Sequence, residues 1–170
     1  MKIRATTKLL RLSGIKPIKD EAPLDEKLPG EWYASVVSMS KPGKLAIHFL
    51  HYPTLFSIII PGKSLKKVLP ILLIRTASLL DRHGYSILKS KIVLNNKTEV
   101  YQANNRSMLA HLTQLKHNIE YHLALQPNIE NIDFDYIEDI QFDYLFGFKT
   151  LKGKYIQPKD ALDKLGIDCK

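Results

Sequence analysis

Four consecutive residues, Asn104-Asn105-Arg106-Ser107, combine side chains that together suit the binding of an anion. Asparagine and serine oxygens accept hydrogen bonds from the free N–H groups of a helix N-terminus, and the arginine guanidinium is a planar fork for a carboxylate or phosphate. The same N–H groups can also bind an anion directly. We therefore take these four residues as the candidate anion-binding site.

The flanking sequence predicts that this cluster joins a strand to a helix. Residues Glu99–Gln102 alternate as in a strand, and the apolar residues that follow recur with a helical period. The helical stripe consists of Leu109, Leu112, Leu115, Ile119 and Leu123. An arginine that bridges to a neighbouring acid would make the cluster a structural cap instead, and both interpretations stay open at this point.

Two further pairs are candidates for lining a groove near the same corner. Thr7 and Lys8 lie where the first predicted strand ends, and Trp32 and Tyr33 lie near the start of the next one. If the two rings were exposed, they would stack on nucleic-acid bases. Aromatic residues on a strand are more commonly half-buried in the core, which is the competing interpretation.

The histidines and the cysteine do not predict a metal site. His48 and His51 are three apart on a predicted strand and so face opposite sides. His111 and His122 are eleven apart, which places them about 16 Å from each other along a helix. Cys169 has no companion for zinc. We expect no metal and no cofactor, and the spacing identifies no catalytic residue.

The net charge favours an anionic partner. The chain of 170 residues carries 25 Lys and Arg against 17 Asp and Glu, a formal charge of +8. The excess lies in residues 1–125, which hold 19 basic and 8 acidic residues. Such a body attracts nucleic acid or an acidic protein. The alternative is that dispersed lysines only keep the protein in solution.

Composition also bounds the compartment and the domain count. A single cysteine excludes an internal disulfide, and Met1–Lys8 lacks the apolar segment of a signal peptide. The longest apolar run, Val68–Ile74, is too short to span a bilayer. We expect a basic, cytoplasmic protein without membrane contact, folded as a single domain over residues 1–170. Its oligomeric state is left open.

The pattern of elements predicts an α+β fold. We expect an antiparallel sheet of about four to five strands, two long helices packed on one face, and a short C-terminal helix. Turn-bounded strands in quick succession indicate a meander, and a serine or asparagine precedes each long helix. The predicted strands are Lys2–Thr7, Glu31–Met39, Lys44–His51, Leu55–Ile60 and Glu99–Gln102; the helices begin after Ser64, Asn105 and Gln157.

Residues 126–149 form an acidic and aromatic arm in this prediction. Between Asp133 and Tyr144, acids alternate with rings, without the glycine and glutamate spacing of a calcium loop. We interpret the arm as an irregular segment that binds a partner or covers a basic surface.

Several short motifs resemble one family. Thr7-Lys8-x-Leu10, Gly30-Glu31-Trp32-Tyr33-Ala34, the run from Asn104 to Leu109, and Tyr121-His122 are together similar to small prokaryotic proteins of the domain of unknown function 6933. The match covers mainly residues 1–125. The resemblance implies a compact α+β fold with Asn105, Arg106 and Ser107 as the positions of interest. It implies no activity.

Two functions from different classes follow from these observations. The first is a non-enzymatic cytoplasmic binding module for an anionic partner, nucleic acid or acidic protein, at the Asn104–Ser107 corner. The alternative is a small enzyme acting on a phosphorylated or carboxylated substrate, in which Arg106 orients the anion. One of Ser107, His111 or His122 would then transfer protons.

Overall fold

The computed structural model describes residues 1–19, 31–89, 98–126, 131–147 and 155–167, and it confirms the predicted α+β class. A five-stranded sheet and five helices account for most of these residues. The elements are β1 (Lys2–Ala5), α1 (Thr7–Ser13), β2 (Glu31–Ser38), β3 (Leu45–Tyr52), β4 (Ser57–Pro61), α2 (Leu65–Arg82), a 3₁₀ turn (Ser86–Leu88), β5 (Glu99–Gln102), α3 (Arg106–Leu125), α4 (Phe134–Phe142), β6 (Phe146–Gly147), β7 (Tyr155–Ile156) and α5 (Pro158–Ile167).

The main sheet is mixed, so the prediction of a purely antiparallel sheet is wrong. Its order is β4-β3-β2-β1-β5, and the predicted meander of β2, β3 and β4 is present. Strand β1 pairs in parallel with both β2 and β5. The chain therefore crosses over through α1 between β1 and β2, as parallel neighbours require. Strands β1, β2, β4 and β5 all point the same way, and their carboxyl ends lie at one edge.

The helices cover both faces of the sheet, which corrects the prediction that both long helices pack on one face. Helices α1 and α2 pack with Trp32, Phe49 and Ile58 on one side. Helix α3 packs with Tyr33 and Ile59 on the other. The continuous apolar run of β4 is typical of a strand buried on both faces, whereas one-sided burial would produce alternation.

The central part of the predicted acidic arm, Phe134–Phe142, is helix α4 rather than an irregular segment. Asp133 caps α4, because its Oδ1 accepts the Tyr136 N–H at 2.9 Å. Ile137 and Phe142 are buried in the two cores. Helix α4 packs against β4, the edge strand of the sheet. Residues 127–130 and 148–149 of the predicted arm lie outside the described residues.

The last described elements form a small unit beside the sheet. Strand β6 pairs antiparallel with β7, and the predicted short C-terminal helix follows as α5, with Leu162 in the core. None of the helices within the described ranges has the length and apolar character needed to cross a bilayer.

Candidate functional site

The chain passes from strand to helix at the predicted corner. Asn105 is the N-cap of α3, and its Oδ1 accepts the backbone N–H of Met108 at 3.1 Å. The Asn105 backbone is still extended, with φ −75° and ψ 110°. Its side chain therefore satisfies one of the free N–H groups that an anion would otherwise bind.

The neighbouring Asn104 supports a buried ion pair that the sequence analysis missed. Arg4 is only 2% exposed, and its Nε donates to Glu31 Oε2 at 2.6 Å. Its Nη2 donates to Glu31 Oε1 at 3.2 Å, and its Nη1 to Asn104 Oδ1 at 3.4 Å. The two asparagines thus have structural roles. The sequence signal for this ion pair was Arg4, a basic residue between apolar residues of the first predicted strand.

The other two corner residues face solvent. Arg106 and Ser107 are exposed, and neither side chain has a hydrogen bond or ion pair with a described residue. The interpretation of Arg106 as a bridge to a neighbouring acid gains no support within the described ranges. An exposed guanidinium without neighbouring ligands is not a preformed pocket, so this corner alone does not constitute a built anion site.

Trp32 and Tyr33 do not line a groove, which corrects their assignment as candidates. Trp32 packs edge-on against Phe49 and Phe56 in one core, and Tyr33 lies in the other. Burial, reinforced by Glu31, raises the pKa of Tyr33 to about 12. Both rings are enclosed because β2 lies inside the sheet and is covered on both faces. Of the four groove candidates, only Thr7 and Lys8 are exposed.

Three histidines, His48 and His51 of β3 and His111 of α3, are buried in the fold. His48 contacts Ser57 Oγ at 2.9 Å, and burial lowers the pKa of His48 to about 3. His51 lies against the Trp32 ring, on the opposite face of β3. Burial also lowers the pKa of His111. Within the described part of the chain, no group of three or more His, Cys, Asp or Glu residues could hold a metal ion.

A cluster of lysines lies at the carboxyl edge of the sheet. The β2–β3 turn and the β4–α2 connection enclose an open cleft of about 650 Å³. Lys41, Lys44 and Lys63 line it, and Lys66 and Lys67 follow in the first turn of α2. All five are exposed. We call these five residues the basic edge.

Local backbone geometry brings the two lysine-bearing segments together. Gly43 has a φ of +76°, a conformation that favours glycine in the tight β2–β3 turn. Gly62 has a φ of +140°, and its N–H donates to Leu45 O at 2.8 Å across the sheet edge. The lysines are about twenty residues apart in sequence, so the cluster is visible only once the meander is folded. The sequence signal for this cluster was that each lysine-rich turn follows a strand that ends at the same edge of the sheet.

The acidic side chains make their contacts away from the lysines of the basic edge. Residues 39–44 and 61–67 contain no Asp or Glu. Glu120 reaches the side of this edge, where its Oε1 accepts the Ser38 N–H at 2.7 Å and lies 3.8 Å from Lys116 Nζ. The five lysines of the basic edge have no ion pair with a described residue.

The acids of α4 instead pair with cations of α2. Arg75 Nη2 lies 2.7 Å from both Asp135 and Glu138, and Arg82 Nη2 lies 3.1 Å from Asp139. Glu138 also accepts the Ile59 N–H of the edge strand at 2.8 Å. Burial raises the pKa of Glu138 to about 7 despite both arginines. These contacts make the acidic arm part of the fold.

Comparison with known proteins adds the family but no activity. A family model described as a domain of unknown function (DUF6933) matches residues 2–161, nearly the whole chain. No curated protein and no solved structure matches the chain.

Proposed function

We propose that the chain, which belongs to the DUF6933 family, is a non-catalytic module that binds the phosphate backbone of nucleic acid in the cytoplasm. The basic edge is the binding surface. The observation that supports this most is the contrast between five exposed lysines without described partners and the acids of α4, which pair with the arginines of α2. This proposal keeps the anionic partner expected from the sequence and moves its contact surface away from residues 104–107.

The residue types at the basic edge favour nucleic acid over an acidic protein. Protein–protein interfaces are depleted in lysine and enriched in aromatic residues and arginine. The segments 39–44 and 61–67 contain no aromatic residue and no arginine. A lysine ammonium binds a phosphate as a point charge, without the bidentate geometry that reads a base edge. We therefore expect binding without sequence preference.

The placement of three lysines around α2's start also supports a functional role. Lys63, Lys66 and Lys67 lie at the N-terminal end of α2, where the helix dipole is positive. Cations there are unfavourable for stability by a few tenths of a kcal/mol to about 1 kcal/mol each. A bound phosphate would reverse this, because anions are stabilised by a helix N-terminus.

The experiment measures binding of a fluorescein-labelled 20-bp DNA duplex and a labelled RNA of equal length by anisotropy at about 50 mM salt. The triple variant Lys41→Gln, Lys44→Gln and Lys63→Gln is expected to bind at least about tenfold more weakly than the wild type, since three phosphate contacts are lost. The matched control neutralises the exposed Lys16, Lys19 and Lys159 with the same change in net charge.

The control variant is expected to change the affinity less than about threefold, because its lysines lie outside the basic edge. Equal weakening by both triple variants would contradict a localised surface. Failure of the wild type to bind either nucleic acid would overturn the proposal. Preferential binding to poly-glutamate over DNA of similar charge would assign the surface to an acidic protein instead.

The alternative enzymatic function gains no specific support. His111 is buried with its ring 5.4 Å from that of Phe146, and His122 packs against Tyr121. Ser107 is exposed at the first turn of α3. Asn104 and Asn105 are occupied by the Arg4 guanidinium and the helix cap. We therefore do not propose catalysis at this corner.

A further inference from the structure

We infer that a second, smaller cleft at the carboxyl end of β1 binds a small carboxylate with a short apolar body. Its volume is about 200 Å³, below the range of about 300–1,000 Å³ that is usual for drug-sized ligands. We call it the Ser35 cleft. Ser35 and Val36 of β2 line it together with Leu109 and Leu112 of α3.

The topology places this cleft where open sheets with parallel strands bind ligands. Strands β1 and β5 are parallel neighbours, yet their following helices pack on opposite faces: α1 with one core and α3 with the other. Such a switch opens a crevice outside the carboxyl ends of the strands. Thr6 and Lys8, which follow β1, and the first half of α3, which follows β5, form its walls.

A buried hydroxyl in the cleft has no partner in the described protein. Ser35 is 7% exposed, and its Oγ makes no hydrogen bond to a described residue. Leaving a buried donor unsatisfied costs free energy, and nearly all such groups in native proteins are paired. Ser35 lines the cleft and its Oγ is covered from solvent, so a ligand oxygen would accept its hydrogen bond once the side chains that cover it move aside.

The backbone of β2 offers a second donor beside this hydroxyl. Strand β1 ends at Ala5, and the last backbone–backbone hydrogen bond on this side of β2 among the described residues is from Thr6 N–H to Ala34 O at 2.9 Å. Ser38 follows Val36 by two residues on β2, and its N–H donates to the Glu120 carboxylate at 2.7 Å. Backbone direction repeats every second residue, so the Val36 N–H faces the same side, into the cleft.

The remaining lining defines the chemistry of the ligand. Lys8 and Lys116 supply positive charge, although Lys116 shares its charge with Glu120 at 3.8 Å. Leu109 and Leu112 supply an apolar wall. A carboxylate bound by Ser35 and the Val36 N–H would suit the polar part of the lining. A few carbon atoms packed against the two leucines would suit its apolar part. The Glu120 carboxylate shows that this strand edge accepts such a group.

The test uses butyrate as the probe and follows backbone amides of the full chain by ¹H–¹⁵N NMR. Butyrate is expected to shift the Val36 amide with saturable binding in the millimolar range, while the neutral isostere butyramide shifts it at least about tenfold more weakly. Ser35→Ala is expected to weaken butyrate binding about tenfold, since one hydrogen bond to a charged group is lost. Ser107→Ala, a serine exposed on α3, is the matched control and should leave the affinity unchanged.

Two further variants separate this site from the basic edge and from a folding defect. Lys8→Gln should weaken butyrate binding with no change in amides remote from the cleft. The triple variant of Lys41, Lys44 and Lys63 should bind butyrate normally. Equal shifts by butyrate and butyramide, unchanged affinity in Ser35→Ala, or equal binding of inorganic phosphate would each overturn the assignment.

Discussion

The two ends of helix α2 both carry positive charge, but they differ in whether that charge is paired with acids of the fold. At the N-terminal end, Lys66 and Lys67 are exposed, face the unfavourable end of the helix dipole, and pair with no described acid. In the C-terminal half, the side chains of Arg75 and Arg82 are 23% and 24% exposed and are paired with acids of α4. The first arrangement is poor for stability and leaves the charge available to a ligand. The second stabilises the fold.

The same contrast explains why net charge alone is a weak guide to function. Glu138 lies between the two arginines and also accepts the Ile59 N–H, so it joins α2, α4 and the sheet edge. Such an edge would otherwise expose unpaired N–H groups. The acidic arm therefore neutralises arginines that a count of charges would assign to a binding surface. What remains for a partner is lysine at the other end.

Removing Glu138 should have the largest effect. Glu138→Ala leaves the Ile59 N–H unsatisfied and takes a carboxylate from both arginines, so we expect a loss of about 3 kcal/mol in the free energy of unfolding. Asp139→Ala, the control, removes a partly exposed pair and should cost less than about 1 kcal/mol. Urea denaturation measures both. Equal losses would show that burial of Glu138 does not distinguish the pairs.

The raised pKa of Glu138 predicts a pH dependence of stability. Because the pKa of Glu138 is about 7 in the folded state and about 4.5 for an unperturbed glutamate, as in the unfolded chain, the folded protein holds this proton between those pH values while the unfolded chain releases it. Stability from this group is thus present below about pH 4.5 and is lost as the pH rises to about 7. The slope is at most about 1.4 kcal/mol per pH unit.

Urea denaturation of the wild type and Glu138→Gln from pH 5 to pH 8 checks this dependence. The wild type should lose stability relative to Glu138→Gln as the pH rises. A difference between the two that stays constant across this range, or that grows in favour of the wild type, would contradict the shift.

The two long helices differ in their N-caps, and removal of a cap side chain should have an effect on stability of intermediate size. Asn105 accepts the Met108 N–H, whereas Ser64 makes no side-chain cap bond at the start of α2. Asn105→Ala should therefore cost about 1 kcal/mol in unfolding free energy. Ser64→Ala should cost only a few tenths of a kcal/mol, since no cap bond is lost. A larger loss in Ser64→Ala than in Asn105→Ala would reverse this ranking of the caps.

Neutralising the first-turn lysines should have the smallest effect on stability, and of opposite sign. Lys66→Gln and Lys67→Gln should each raise the unfolding free energy by about 0.3–1 kcal/mol, because a cation is removed from the positive end of the dipole. Both should weaken nucleic-acid binding. Lys164→Gln, in the last turn of α5, is the control and should slightly destabilise the protein. Thermal denaturation and the anisotropy assay measure the two quantities.

How far the sequence alone predicts this structure depends on whether the interactions involved are local. The strand-to-helix change at residues 104–105 and the β2–β4 meander were predictable, because capping and turn chemistry act over a few residues. The parallel placement of β1 was not, since it depends on a crossover through a long connection. The helix at residues 134–142 was missed because the alternating acids and aromatics were interpreted as an irregular arm.

For the candidate site, too, the sequence predicts local features but not contacts between residues that are far apart in the chain. Residues 104 and 105 were identified correctly as a helix start, but the partner of Asn104 is Arg4, one hundred residues away. The enclosure of Trp32 and Tyr33 follows from which faces of β2 are covered, which no local pattern specifies. The basic edge joins two turns that are separate in sequence. Such contacts appear only when the tertiary fold is known.

The salt dependence of DNA binding tests the central claim most directly. The logarithm of the association constant should fall linearly with the logarithm of salt concentration, with a slope set by the number of phosphates neutralised. The Lys41, Lys44 and Lys63 triple variant should reduce the magnitude of that slope by about 2–3 relative to the wild type, while the Lys16, Lys19 and Lys159 variant should leave it unchanged. Identical slopes for all three proteins would contradict the assignment of the basic edge as the phosphate-binding surface.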